Sequence, residues 1–176
     1  MLTPSQIETI KRIREESYIY PIWANSEFFT AIVDSLAEPF MGKGITKVIG
    51  LESRGFILGA PVAFKLGAGF CVARKEGKMF NEPELFAGLF KRTYVDYTGK
   101  PKGIEIENNP DVLNSQDKVL IVDDWIETCN STRAVIDILE NDVKCEVVGI
   151  SVLFDQSHGK SAELFEKYLF NGLISI

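Results

Sequence analysis

The residues best equipped for chemistry lie between Val119 and Thr132. The run Val119-Leu120-Ile121-Val122-Asp123-Asp124-Trp125-Ile126-Glu127-Thr128-Cys129-Asn130-Ser131-Thr132 reads as four buried-strand residues, two adjacent carboxylates and a polar turn into a helix. In parallel α/β sheets ligands sit at the carboxyl ends of strands, where loops lead into helix amino termini that attract anions. A second strand end passes from Leu51 into Glu52-Ser53-Arg54-Gly55, where a hydroxyl, a guanidinium and exposed N–H groups can grip a phosphate. Taken alone, the Asp pair has a plainer reading as the cap of the following helix.

Between these strand ends lies Glu76 to Gln116, poor in aliphatic periodicity, rich in Gly, Pro, Asn and charge, with Phe80, Phe86, Phe90, Tyr94 and Tyr97 scattered through it. Long irregular segments inside a compact domain are usually lids or binding loops, so this one is expected to cover a site. From Arg74 to Lys102 it carries seven basic against four acidic residues, a local +3 in a chain of net −6. An anionic ligand under a basic lid accounts for that bias, and so does a solvated loop.

These segments need a frame. Thr3-Pro4-Ser5-Gln6 has the form of a capping box with Pro at the first helical position, and Ile7, Ile10 and Ile13 follow on one face. Phe28, Phe29, Ile32, Val33 and Leu36 mark a second helix from Asn25-Ser26 to before Pro39. Short apolar runs at 45–51, 70–73, 119–122 and 147–154 lack strict alternation, as strands buried on both faces do. Helices are expected at Gly55 to Leu66, at Ser131 to Leu139, and around Leu164, Phe165, Tyr168 and Leu169. The pattern predicts an α/β fold, a doubly wound, mostly parallel sheet flanked by helices, as one domain over 1–176 with an irregular lid at about 76–116.

Several classes are excluded. A composition of 45% hydrophobic and 25% charged residues is that of a globular domain, and the acidic balance argues against a dedicated nucleic-acid binder. Gly55 to Ala73 is long enough for a membrane span, but Pro61 and its glycines divide it into a helix and a strand. Cys71, Cys129 and Cys145 are odd in number and far apart, so no disulfide framework or Cys-x-x-Cys site is expected. With an amino terminus that lacks the pattern of a secretory signal, a cytoplasmic protein is expected. His158 is alone and in a turn-like stretch, which leaves no histidine metal site.

With these motifs in hand, the sequence resembles the type I phosphoribosyltransferases, and their adenine branch most of all. The resemblance rests on Asp123-Asp124 with the loop after it, Gly50-Leu51-Glu52-Ser53-Arg54-Gly55-Phe56, Arg74-Lys75 with Gly77-Lys78, and Asp96-Tyr97, over roughly residues 45–155. It implies transfer of phosphoribose from phosphoribosyl pyrophosphate to a nucleobase, a purine such as adenine, with release of pyrophosphate. Asp123 and Asp124 would accept hydrogen bonds from the ribose hydroxyls and stabilise charge at the anomeric carbon. Ser53 and Arg54 would hold the pyrophosphate, with Arg74, Lys75, Lys78 and Mg²⁺ neutralising it. Thr128, Cys129, Asn130 and Ser131 would cradle the 5-phosphate, Asp96 would handle a proton on the base, and Tyr97 would help close the lid. The family also implies a homodimer, with no nucleic-acid or membrane partner.

Two departures accompany the match. The loop reads Glu127-Thr128-Cys129-Asn130-Ser131 where the adenine branch has Ala-Thr-Gly-Gly-Thr. Glycine permits positive φ and close approach to phosphate; Asn tolerates the left-handed region and Cys does so poorly. Glu127 is a proton acceptor for the base or a deterrent to the anion. Cys129 near a helix start is read as space-filling rather than redox-active. At the amino-terminal side, Tyr18-Ile19-Tyr20-Pro21-Ile22-Trp23 replaces the branch's base-pocket segment, and Tyr20, Trp23 or Trp125 can stack on a base or simply pack. These departures motivate a second reading, a non-catalytic module that senses phosphoribosyl pyrophosphate or a nucleotide.

Overall fold

The computed structural model describes residues 1–16, 19–79, 87–159 and 162–176. Helix α1 (Pro4–Glu15) opens with the expected capping box, Thr3 N–H donating to Gln6 Oε1 at 2.9 Å and Gln6 N–H to Thr3 Oγ1 at 3.3 Å. A short α2 (Tyr20–Ala24) leads to α3 (Ser26–Ala37), where Asn25 Oδ1 accepts the N–H groups of Glu27 and Phe28, each at 3.0 Å. Strand β1 (Lys47–Leu51), α4 (Arg54–Leu66) and β2 (Gly69–Lys75) follow, with left-handed Gly67 ending α4. After β3 (Leu89–Val95) and β4 (Pro101–Glu107) come β5 (Lys118–Ile126) and α5 (Asn130–Asp137), which runs on as a π-turn over Ile138–Val143. The remaining elements are β6 (Glu146–Asp155), α6 (Ala162–Lys167) and β7 (Leu169–Ser175).

The seven strands form one sheet in the order β3-β4-β2-β1-β5-β6-β7. From β2 to β7 the pairings are parallel, and β4 and β3 add an antiparallel edge. Both faces are covered. Val48, Leu120 and Val122 pack under α1 to α4, while Ile49, Val119 and Ile121 pack under α5, its π-turn and α6. Consecutive residues on one strand therefore enter different cores, which is why these strands carry no polar alternation. Among the described residues no helix is long and apolar enough to cross a membrane; the 55–73 stretch is α4 and the start of β2.

Three expectations need correction. The lid is not irregular throughout: β3 and β4 form a hairpin whose register runs from Leu89↔Glu107 to Val95↔Pro101, and which meets β2 at Arg74↔Glu105 and Lys75↔Ile104. Phe80 and Phe86 lie outside the described residues. The late helix stops at Lys167, and Leu169 instead begins β7, because Leu169 to Ser175 pairs with the open side of β6. Finally, β5 does not end at Val122 but continues to Ile126, so Asp123 and Asp124 are strand residues and the helix they were read as capping starts only at Asn130.

The basic bias of the hairpin has a local use. Glu105, buried on β4 with 1% of its surface exposed, accepts from Lys91 Nζ at 2.8 Å and from the N–H of Gly77 at 3.0 Å. Burial alone would raise its pKa; the bonds from Lys91 and Gly77 outweigh it, and the carboxyl is held below its ordinary range. Arg92 reaches across to α5 and its π-turn, pairing with Asp137 and with Asp142 at 2.8 Å.

Candidate active site

The carboxyl ends of β1 and β5 and the inner face of the hairpin enclose a cleft of about 880 Å³. Its floor is built by close backbone approach. A Cβ on Gly55, at the start of α4, would stand 2.9 Å from the Val122 carbonyl and 3.0 Å from Asp123 Oδ1, so only glycine lets α4 begin against the acidic end of β5. The Glu52–Ser53 peptide preceding it is cis. This packing brings Arg54 Nε to 3.0 Å from Asp124 Oδ2, while the N–H of Asp124 donates to Asp123 Oδ1 at 2.8 Å.

The two carboxylates share one nearby cation in a desolvated position. Burial, and then the charge of Asp124, push Asp123 well above the ordinary carboxyl range; burial raises Asp124 as well, although Arg54 pulls it back. Such a pair is poised to exchange a proton for a ligand.

Next to it, Glu52 accepts the N–H of Lys75 at 2.9 Å and Arg74 Nε at 3.3 Å. Burial opposes ionisation of Glu52, yet the Lys75 and Arg74 bonds prevail and its pKa is lowered. Arg74 is therefore tied to the strand end and does not line the cleft; nor does Lys78.

Of the residues expected at the site, Ser53, Arg54, Lys75, Asp96, Tyr97, Asp123, Asp124, Glu127, Thr128, Cys129 and Ser131 line this one cleft. Cys129 adopts φ 62° and ψ 3°, the left-handed conformation that glycine would take without penalty, and its side chain is only 2% exposed in the core beneath α5. A small buried side chain offsets a strained backbone here, so the loop keeps its turn without glycine. Asn130 departs from expectation: its amide Nδ2 donates to the Val95 carbonyl at 2.8 Å instead of facing the cleft.

The opposite wall comes from the hairpin. Asp96 Oδ1 accepts from the Thr98 N–H at 2.8 Å, the Thr98 hydroxyl at 2.7 Å and the Lys100 N–H at 3.0 Å, which together lower its pKa. Its second oxygen lies 3.9 Å from Lys102 Nζ. Tyr97 is 73% exposed at the mouth. Trp125 lines the cleft with Arg14 stacked 4.9 Å from its ring centroid and its Nε1 donating to Gln156 at 3.1 Å; Trp23 packs on Phe29, Tyr20 is exposed, and Tyr18 lies outside the described residues.

The sequence reading did not assign Glu52, Glu76, Tyr94, Lys102 or Trp125 to the site, though all line it. The alternating Ile104-Glu105-Ile106-Glu107 and the Thr98-Gly99 turn were the available signals of a hairpin that delivers Tyr94 and Lys102. The expectation of a basic cover is also revised: the cleft is lined by six acids, Glu52, Glu76, Asp96, Asp123, Asp124 and Glu127, against Arg54, Lys75 and Lys102. The remaining arginines and Lys91 neutralise the protein's own carboxylates. Among the described residues no three His, Cys, Asp or Glu side chains are grouped to hold a metal by themselves.

A family profile described as the phosphoribosyl transferase domain matches residues 24–171. The chain belongs to the phosphoribosyltransferase family. An adenine phosphoribosyltransferase of Streptomyces coelicolor is 39% identical over 137 residues, which is 78% of this chain and 70% of that protein. The crystal structure of adenine phosphoribosyltransferase from Rhodothermus marinus matches with a TM-score of 0.82 and 29% identity over 99% of this chain and 100% of that one. The Saccharomyces cerevisiae enzyme, crystallised with D-2,5-dideoxy-2,5-imino-altritol 1,6-bisphosphate and adenine, matches with a TM-score of 0.73 and 28% identity, covering 89% of this chain and 85% of that one.

Proposed function

We propose that this phosphoribosyltransferase joins adenine to phosphoribosyl pyrophosphate and releases pyrophosphate. The observation that carries the proposal is the Asp123–Asp124 pair at the end of β5, held by Arg54 on the floor of a cleft whose far wall is the hairpin. The pair accepts the ribose hydroxyls and faces the positive charge that develops as pyrophosphate departs. Ser53, Arg54 and Lys75 bind the pyrophosphate, and the turn 128–131 at the start of α5 receives the 5-phosphate. The hairpin, with Asp96 and Tyr97, closes over the base and excludes water, while Glu127 stands on the base side as proton acceptor.

The donor set suits Mg²⁺: hard carboxylate oxygens outnumber cations along the cleft, so a divalent ion carried in with the pyrophosphate balances charge that Arg54 and Lys75 leave unmatched. Asp123, Asp124 and Glu52 would stand around it, and its contribution when bound is charge neutralisation of the leaving group. The loop geometry favours the enzyme over a mere sensor, since Cys129 already takes the conformation that the missing glycine would supply.

Calorimetric titration with phosphoribosyl pyrophosphate tests this before any base is added. Mg²⁺-dependent micromolar binding, about −8 kcal/mol, is expected, followed by nucleotide formation with adenine. Because burial keeps a proton on Asp123 and the ligand needs the carboxylate, binding should release a proton. Affinity then rises with pH and levels off once Asp123 is ionised, and the measured heat varies with the buffer's ionisation enthalpy. No binding with or without Mg²⁺ would remove the transferase reading.

The proposed active form is a homodimer in a reducing cytoplasm, consistent with three buried thiols. Ile57, Ala60 and Phe64 form an exposed row on α4, Phe64 being 88% exposed, and the same helix begins at Arg54 in the cleft. Sedimentation should show a dimer that Phe64→Asp converts to monomer; a monomeric parent chain, or no change on substitution, refutes it.

A further inference from the structure

Asn130 was expected to touch phosphate, but its side chain does something else. Strand β3 is the edge of the sheet, and its last residue, Val95, stands opposite Pro101, which has no N–H to give. The Val95 carbonyl takes its hydrogen bond from Asn130 Nδ2 at 2.8 Å, across from the first residue of α5. The next residues are Asp96 and Tyr97, and Asp96 closes its own turn through Thr98 and Lys100. Further back along β3, Arg92 pairs with Asp137 and Asp142 at the other end of α5. The hairpin is thus fastened to both ends of the helix whose amino terminus forms the phosphate turn. A glycine at position 130 offers no such donor.

Resting on the transferase reading above, we propose that Asn130 is a positioning residue that ties the turn bearing Asp96 and Tyr97 to the phosphate loop. The placement of the hairpin wall over the base then follows the loop that holds the sugar phosphate. Asn130 touches neither substrate. It acts through Val95, by fixing where the Asp96 turn stands relative to Thr128 and Ser131 on the facing wall.

The test compares the parent chain with Asn130→Ala and with Asn130→Gln, which keeps an amide donor one methylene further out. Asn130→Ala should raise KM for adenine about tenfold, as expected for a misplaced wall, while the Kd of Mg²⁺-phosphoribosyl pyrophosphate measured by calorimetry stays within about twofold. Asn130→Gln should recover part of the loss. Amide hydrogen exchange at Thr98 and Lys100 should accelerate in Asn130→Ala with no change in the amides of β5. A Kd for phosphoribosyl pyrophosphate that weakens as much as the adenine KM would make Asn130 a phosphate ligand and overturn the proposal. Unchanged exchange at Thr98 and Lys100 would also overturn it, and that arm decides the matter even if the parent chain forms no nucleotide, a result that would count against the transferase reading alone.

Discussion

Replacing Asp123 and Asp124 together by asparagine is expected to lower kcat for nucleotide formation by at least about 10³-fold, the scale reached when one preorganised electrostatic group is lost at a reacting centre. Binding of phosphoribosyl pyrophosphate should survive, because Asp124→Asn releases Arg54 from its 3.0 Å partner and leaves that guanidinium free for the anion. The loss therefore falls on kcat rather than KM. The same substitution should not damage the fold. Asp123 has a raised pKa, so its charged form is disfavoured in the folded chain relative to the unfolded one. That penalty is complete above the folded pKa and disappears as the pH falls below it, so acidification from neutrality relieves strain at this pair. In the double Asn variant the penalty is gone at every pH. Its Tm at neutral pH should equal or exceed that of the parent chain, and the gap should narrow on acidification. Unaltered turnover in the variant would refute the role given to the pair, whereas a large drop in Tm would show that the carboxylates are structural.

Gly149→Ala is the substitution expected to harm the fold most. Gly149 lies on β6 between β5 and β7, paired with Leu120 on one side and Leu169 on the other. A Cβ there would stand 2.5 Å from Cε1 of Phe40, a fully buried ring, and overlap the Leu169 carbonyl more closely still. Neither can withdraw cheaply, since one is main chain and the other is locked in the core beneath α3. The cost should reach the upper end for overpacking, about 3 kcal/mol. For a chain of this length that is about 6–12 °C in Tm, readable by calorimetry. A shift under about 2 °C would mean that β6 and β7 separate more easily than their pairing implies.

The frame was legible because its signals are local. The capping box at Thr3 and the unpatterned strands around β1 and β5 follow from short-range rules that tertiary contacts reinforced. The Asp pair and the 52–55 turn could be found because close packing demands Gly50 and Gly55 between them, a requirement visible as residue type. Residue type did not reveal partnership. Arg74, Lys91 and Arg92 look like anion ligands in sequence, yet each is matched to a carboxylate brought near by folding: Glu52, Glu105 and Asp137. Cys129 illustrates the converse. The rule that cysteine disfavours the left-handed region is sound, but it does not know that a buried pocket beneath α5 stands ready for the side chain. The hairpin was missed because its strands are half exposed and their hydrophobic alternation is diluted by charges that serve pairings across the fold.

The seam between β4 and β2 carries one last consequence. Along their length β3 and β4 are zipped from Leu89↔Glu107 to Val95↔Pro101, but β4 is joined to the parallel sheet only near Arg74↔Glu105 and Lys75↔Ile104, with the Glu76 N–H reaching the Gly103 carbonyl at 2.9 Å just beyond. Local stability in a folded chain is uneven, and cooperative units part where the bonds between them are fewest. Less free energy is needed to lift the hairpin as an intact piece than to unzip it or to open β1 from β5. That line of least resistance runs along the cleft, with Tyr94, Asp96 and Lys102 on one side and Lys75, Arg54 and Asp123 on the other. Ligand entry and product escape can therefore proceed by the parting of two bodies, neither of which has to melt.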